Sequence, residues 1–315
     1  IRDRFINALL YFSSNDINLL KILIFINYLY ICAMLNFFPF LFVFFWSSAF
    51  VSGQIIVQSA SPFASLSFRF MIVALGFIIF AKIFNEKILV KKSLIYQSAV
   101  TGILFHGFYL GGVFFSYSVG LSATLSALIV GLQPVLTNIL SGPILKEKVT
   151  FTQWMGILLG LIGTVFVIGL DVGKSIPVLG IIASIVALIG ATTATIWQKK
   201  FTNKLSLSVN NFYQALAAAI FLLLASLIFE VSYINFTTSF ILSMGWQIIM
   251  VSFGAFTILM YLIKIGSASK TSNLFFLVPP TTAVMAWLVL GEELYRNDLI
   301  GLMIASIGVF IATRK

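Results

Sequence analysis

One stretch and its echo decide the fold: PVLTNILSGPILKEKVTFTQWMGILLGLIG at residues 134–163 and PPTTAVMAWLVLGEELYRNDLIGLMIASIG at residues 279–308. At a constant offset of 145 residues, without a gap, Pro134 falls on Pro279, Glu147 on Glu292, Gly156 on Gly301 and Gly163 on Gly308. Upstream, Ser122-Ala123 falls on Ser267-Ala268 at the same offset. Chance similarity between apolar segments does not hold one register while matching both a proline and a glutamate. The chain therefore reads as an internal duplication.

Outward from this repeat, the sequence is apolar throughout. Of 315 residues, 60% are apolar and 9% charged, and the mean hydropathy is +1.10. Runs of about 20 apolar residues, the length a helix needs to cross hydrocarbon, recur along the chain and exclude an ordinary soluble domain. Bounded by charges, Pro, Gly and Asn, ten spans are expected at 37–57, 62–82, 94–117, 121–142, 151–170, 177–198, 207–229, 243–263, 268–290 and 296–313. The expected fold is thus an all-α polytopic membrane protein. The single cysteine, Cys32, allows no intramolecular disulfide, and no Cys/His cluster suits a structural metal. No cofactor is expected.

The charges test the topology. There are 19 Lys and Arg against 9 Asp and Glu, a net charge of +10, yet no basic block exceeds a Lys pair. This pattern argues against nucleic acid as a partner and for an address label facing the bilayer. With Met34 on the cytoplasmic side, alternating spans place 13 basic residues inside and 2 outside, with 2 acids inside and 5 outside. That is the positive-inside bias, and it puts both termini in the cytoplasm with a cytoplasmic (inner) membrane as the location. Each repeat holds five spans, so the second is inverted: 34–170 forms the first half and 177–315 the second. Residues 1–33 read as an extension ahead of a start at Met34, carrying a moderately apolar stretch from Leu19 to Leu35. Inverted five-helix repeats recur in secondary transporters, where they supply two mirror-related states around a midplane site.

At this point the residues resemble a family. Phe45-Trp46-Ser47-Ser48-Ala49-Phe50, Ser61-Pro62 followed by Arg69-Phe70, and Gly120-Leu121-Ser122-Ala123 leading to Gln133-Pro134-Val135, Lys146-Glu147 and Gly156 to Gly163 are similar, in order, to the EamA-type drug/metabolite transporters. The resemblance covers Met34 to Lys315. Ser47 stands where the family often has Gly, which bears on how closely helices pack there. The resemblance implies ten spans, cytoplasmic termini, and proton-linked or facilitated movement of amino acids, nucleobases or other small metabolites. It also implies a central cavity between spans one, three, four, six, eight and nine.

Candidate site residues follow. Arg69 is the only charge well inside a span, seven residues from Pro62 and about 10 Å below the surface on a helical rise. An Arg at mid-membrane costs about 2.5–3.5 kcal/mol, so it captures a substrate anion or pins neighbouring helices. His106, the sole histidine, is either a proton relay or a neutral ring hydrogen-bonded to an adjacent helix. On the implied cavity spans, Trp46, Tyr109, Gln133, Asn138, Tyr261 and Asn273 join them as a substrate-binding set for a small amphipathic solute. Pro134, Pro279 and Pro280 interrupt spans four and nine at equivalent places and are read as gating kinks or packing kinks. Gly156-xxx-Gly160 and Gly301-xxx-Ala305 are small-residue faces that hold each half together or form a homodimer face.

The expected function is secondary transport of small organic metabolites, amino acids or related compounds, by alternating access and in the direction of export. The alternatives are an importer or exchanger of nucleotide-derived or phosphorylated metabolites and, from another class, a lipid-modifying membrane enzyme. The last lacks any visible nucleophile–base pair or Asp-rich metal motif.

Overall fold

The computed structural model describes the backbone of residues 17–145, 150–169, 177–201, 205–265 and 273–313 and, with further gaps, side chains from Phe37 onward. The first 16 residues of the expected extension, the loop carrying Glu147, the Ser267-Ala268 pair and the side chains of Asn138 and Asn273 lie outside the described residues. Residues up to Leu41 form one compact unit and Phe42–Lys315 another, which holds everything discussed below.

Among the described residues the regular structure is helical: α1 (Ile17–Val57), α2 (Pro62–Ile83), α3 (Lys92–Ser118), α4 (Ala123–Val130), α5 (Gln133–Leu145), α6 (Phe151–Gly169), α7 (Val178–Phe201) and α8 (Leu207–Phe229). Then come α9, which starts at Thr238 and ends at Ile265, a short 3-10 turn (Asn273–Leu277), α10 (Val278–Leu290) and α11 (Arg296–Thr313). Six stretches, Phe37–Val57, Pro62–Ile83, Lys92–Ser118, Val178–Gln198, Leu207–Phe229 and Thr238–Leu259, are long and apolar enough to cross a membrane. Their large outward side chains, such as Leu75, Ile79, Leu224 and Leu227, are exposed. An apolar face of that kind suits lipid as its solvent.

Three boundaries differ from the sequence reading. α1 runs unbroken through Met34. α9 begins five residues before the expected 243 because the Thr237 hydroxyl caps it, accepting from the Phe240 N–H at 3.2 Å. The expected span 121–142 is two helices, α4 and α5, separated at Gly131-Leu132. Pro134 then lies in the first turn of α5, and Pro279-Pro280 in the first turn of α10. There a missing N–H loses no helical bond. These prolines start helices and do not kink them midway.

The two most extensive helix pairings are α6 with α11 and α2 with α8. In both, the partners start 145 residues apart. A Cβ on Gly163 would stand 2.4 Å from the Ala305 nitrogen and 2.7 Å from the Gly301 oxygen. A Cβ on Gly308 would stand 2.3 Å from the Gly160 nitrogen and 2.7 Å from the Gly156 oxygen. The two small-residue faces therefore cover each other. They join one repeat to the other, a use the sequence reading did not weigh.

α2 and α8 exchange caps. The Glu230 carboxylate, at the end of α8, accepts from the Phe63 and Ala64 N–H groups at the start of α2 (3.2 and 2.8 Å). Glu86, just past α2, accepts from the hydroxyl of Ser206, the N-cap of α8, at 2.7 Å. Helix N-termini leave donors unpaired and carry partial positive charge, so a carboxylate there satisfies both. Glu292 does the same for α4, accepting from Ala123 N (2.9 Å), Thr124 N (3.4 Å) and Thr124 Oγ1 (2.5 Å) beside Gln54 Oε1. A short strap adds to these ties. Ala60 bridges Ile234, Ser61 N donates to Tyr233 O at 3.0 Å, and the Ser59 and Thr237 hydroxyls meet at 3.1 Å.

Candidate functional site

Where α1, α2, α3, α8 and α9 converge, they line a cavity. Two of these helices widen there: Ile103–Leu110 of α3 and Gln247–Ala255 of α9 are π-helical turns. Their positions correspond through the 145-residue offset. A π turn inserts a residue into the helical repeat and re-aims the side chains around it, and such turns gather at functional sites. Here the first presents His106 and Tyr109 to the cavity, and the second Gln247 and Ser252. Gly102 lets α3 approach α8 closely enough for this. A Cβ there would lie 2.1 Å from the Gln214 carbonyl oxygen.

Arg69 is 2% exposed. Its Nε and one Nη donate to the Ser252 hydroxyl at 3.1 and 2.9 Å, and its Cζ lies 5.2 Å from the centre of the Phe70 ring. No carboxylate lines the cavity with it. His106 stacks at a tilt on Phe70, with ring centroids 4.4 Å apart, and meets Phe105 and Phe256 edge-on. Its Nδ1 is buried with no hydrogen-bond partner among the described residues. The hydrogen bond to a neighbouring helix that the structural reading of His106 expects is therefore not made at Nδ1.

Two amides complete the polar lining. Neither amide atom of Asn211 has a partner among the described residues. Gln247 donates its Nε2 to Ala49 O (2.7 Å) and Ser52 Oγ (2.9 Å), which fixes the amide and leaves Oε1 unpaired. The rest of the wall is Trp46 and Phe50, Phe70, Phe77, Phe105, Phe114 and Phe256 with aliphatic neighbours. The room open to the centres of water molecules is ≈ 40 Å³. One water needs about 10–15 Å³ on that measure, so the cavity has room for more than a single water.

Of the residues expected from sequence, the structure gathers Trp46, Arg69, His106 and Tyr109 around one cavity. It does not bring Gln133 or Tyr261 to it. Gln133 is buried elsewhere, donating to Thr195 Oγ1 at 2.9 Å and tying α5 to α7. The walls come from spans one, two, three, seven and eight, whereas the resemblance implied one, three, four, six, eight and nine. α4, α5 and α10 are drawn off by one another: Gly131 faces Pro279, where a Cβ would sit 2.6 Å from the proline ring. Ser47, in place of the family's Gly, donates its hydroxyl to Val278 O at 3.3 Å and so ties α1 to α10.

Asn211, Gln247 and Ser252 escaped the sequence reading. The signal for α8 was present: Asn210-Asn211 and Gln214 interrupt an otherwise apolar run, and Gln214 stands 145 residues after Arg69.

The EamA-like transporter family profile matches residues 33–169 and again residues 178–314. The chain belongs to the EamA-like transporter family. Relatives are named as transporters. The uncharacterized transporter YoaV of Bacillus subtilis (strain 168) is 23% identical over 276 residues, covering 85% of this chain and 92% of that protein. The uncharacterized transporter YyaM of the same organism is 32% identical over 271 residues, covering 80% and 85%. An uncharacterized transporter of Archaeoglobus fulgidus is 25% identical over 288 residues, covering 86% and 95%. A solved crystal structure shares the fold, with a TM-score of 0.65 over 89% of this chain and 96% of that one at 18% identity. This EamA-like protein is an integral membrane transporter.

Proposed function

We propose that this EamA-like protein is a secondary transporter that exports small organic metabolites, amino acids or related compounds, across the cytoplasmic membrane by alternating access. The observation that carries the reading is the cavity between the helices. It holds a buried cation, the Asn211 amide and the Gln247 Oε1, the last two without partners among the described residues, and its walls come from both repeats: α1, α2 and α3 from the first, α8 and α9 from the second. A site at the junction of two repeats can be opened to either side by rocking one against the other.

The proposed topology is ten spans in two inverted halves, 34–170 and 177–315, with both termini in the cytoplasm. It is supported by the 13-to-2 sorting of basic residues, by the reciprocal glycine contacts of α6 and α11, and by the exchanged caps of α2 and α8. His106 is the candidate proton carrier if transport is proton-coupled. A phosphorylated or nucleotide-derived substrate fits less well, since Arg69 is the one cation lining the cavity.

The test is metabolite profiling of cells with and without the protein, followed by vesicle uptake of the leading compounds at two pH gradients. Reporter fusions that put Lys87–Lys92 outside or Glu292-Glu293 inside would overturn the topology.

A further inference from the structure

We infer that, among the small organic metabolites proposed above, the substrate is an amphipathic monoanion related to an amino acid but without its charged amine, a carboxylate joined to an aromatic or branched apolar body; this rests on the cavity being the substrate site. The argument is one of charge balance. The residues lining the cavity carry one permanent positive charge, Arg69, and no carboxylate. Of the described acids, Glu86 accepts from Ser206 and Glu230 from the start of α2. A guanidinium held by one hydroxyl in a water-poor interior is under-compensated, and the removal of that penalty favours an anion.

Geometry selects the kind of anion. Nε and one Nη of Arg69 converge on Ser252, which occupies one edge of the planar fork and leaves the edge formed by the two Nη groups. Two parallel N–H donors on that edge match the two oxygens of a carboxylate. One carboxylate makes the site neutral. A zwitterion would leave it at one positive charge and a phosphate dianion at one negative. The aromatic wall of Phe50, Phe70, Phe77 and Phe105 suits the body of the solute. The unpaired Asn211 amide and Gln247 Oε1 are neutral groups suited to an uncharged polar substituent.

The test uses the full chain purified in detergent, with four probes of one shape: 3-phenylpropionate, phenylalanine, 3-phenylpropanol and phenyl phosphate. Binding is read from the fluorescence of Trp46, which lines the cavity, with Trp46→Phe as the blank. The expected result is that 3-phenylpropionate binds at least tenfold more tightly than the other three. Arg69→Gln should remove that preference in a protein that still elutes as a single species, and Arg69→Lys should retain binding weakened about tenfold. Asn211→Asp, nearly identical in shape, adds a carboxylate to the cavity and should reverse the order, favouring phenylalanine over 3-phenylpropionate. Phenylalanine or phenyl phosphate binding the native protein as well as 3-phenylpropionate would overturn the monoanion proposal and leave the cavity as the site. Binding untouched by both Arg69→Gln and Asn211→Asp, or no response to any probe while vesicle uptake of a metabolite persists in both variants, would overturn the site itself.

Discussion

The crossing of α6 and α11 offers a clean test of how the repeats are joined. Placing Ala at Gly163 puts a Cβ 2.4 Å from the Ala305 nitrogen, and ordinary contact begins near 3.4 Å, so the helices must part by about 1 Å. Overpacking of this kind costs about 1–3 kcal/mol. Against it stands the better helix propensity of Ala over Gly, about 1 kcal/mol. Gly245 of α9 separates the two terms, because a Cβ there meets nothing within 4 Å. Gly245→Ala should be neutral or slightly stabilising, and Gly163→Ala should fall below it by about 1–3 kcal/mol. On the usual scaling that is roughly 2–12 °C in melting temperature, toward the low end for a chain this long. The assay is thermal unfolding in detergent followed by intrinsic fluorescence. Gly308→Ala meets the mirror contact at 2.3 Å and should lose as much as Gly163→Ala. If the two melt with Gly245→Ala, or if only one of them falls, the reciprocal crossing is wrong.

Three further outcomes are expected. In a Cys32→Ser background, Ser59→Cys with Thr237→Cys replaces two hydroxyls 3.1 Å apart; oxidation should arrest vesicle uptake and a reductant restore it, and full uptake by the oxidised protein would refute movement at this strap. Glu292→Ala removes the carboxylate from three donors at the start of α4 and should destabilise by about 1.5–3 kcal/mol, whereas Glu293→Ala, at an exposed residue, should stay within about 0.5 kcal/mol in the same unfolding assay. Gln133→Leu breaks the link to Thr195 and should cost about 1 kcal/mol, with affinity for the transported solute unchanged; a tenfold loss of affinity would return Gln133 to the site.

Much of the architecture was legible because lipid allows so few solutions. Expected spans 62–82 and 207–229 match Pro62–Ile83 and Leu207–Phe229 within a residue, since charges and prolines mark where hydrocarbon must end. Arg69 was legible for a related reason, being a lone cation deep in an apolar run. What stayed hidden depends on which way a side chain points. Gln133 and Gln247 are both amides inside apolar helices. One is consumed by Thr195 across a helix contact, and the other presents a free oxygen to the cavity only because a π turn aims it there. No periodicity in the sequence announces that turn, so the contribution of α9 was missed. The break at Gly131-Leu132 had its proline in plain view, but whether a proline kinks a helix or begins one depends on neighbours distant in sequence.

The paired π turns also bear on how such a transporter diverges. Removing one residue within 103–110 or 247–255 lets the hydrogen-bond ladder close into ordinary α geometry without losing a bond, and the flanking turns keep their faces because the extra residue was taken up within the π turn. A deletion inside a membrane helix elsewhere swings an apolar face away from lipid. Here it would exchange the residues lining the cavity for the neighbours in the next register. Specificity can therefore be rewritten by changing chain length at either of two equivalent points, one in each repeat and each independent of the other, while the aromatic residues on α1 and α2, Trp46, Phe50, Phe70 and Phe77, stay in place.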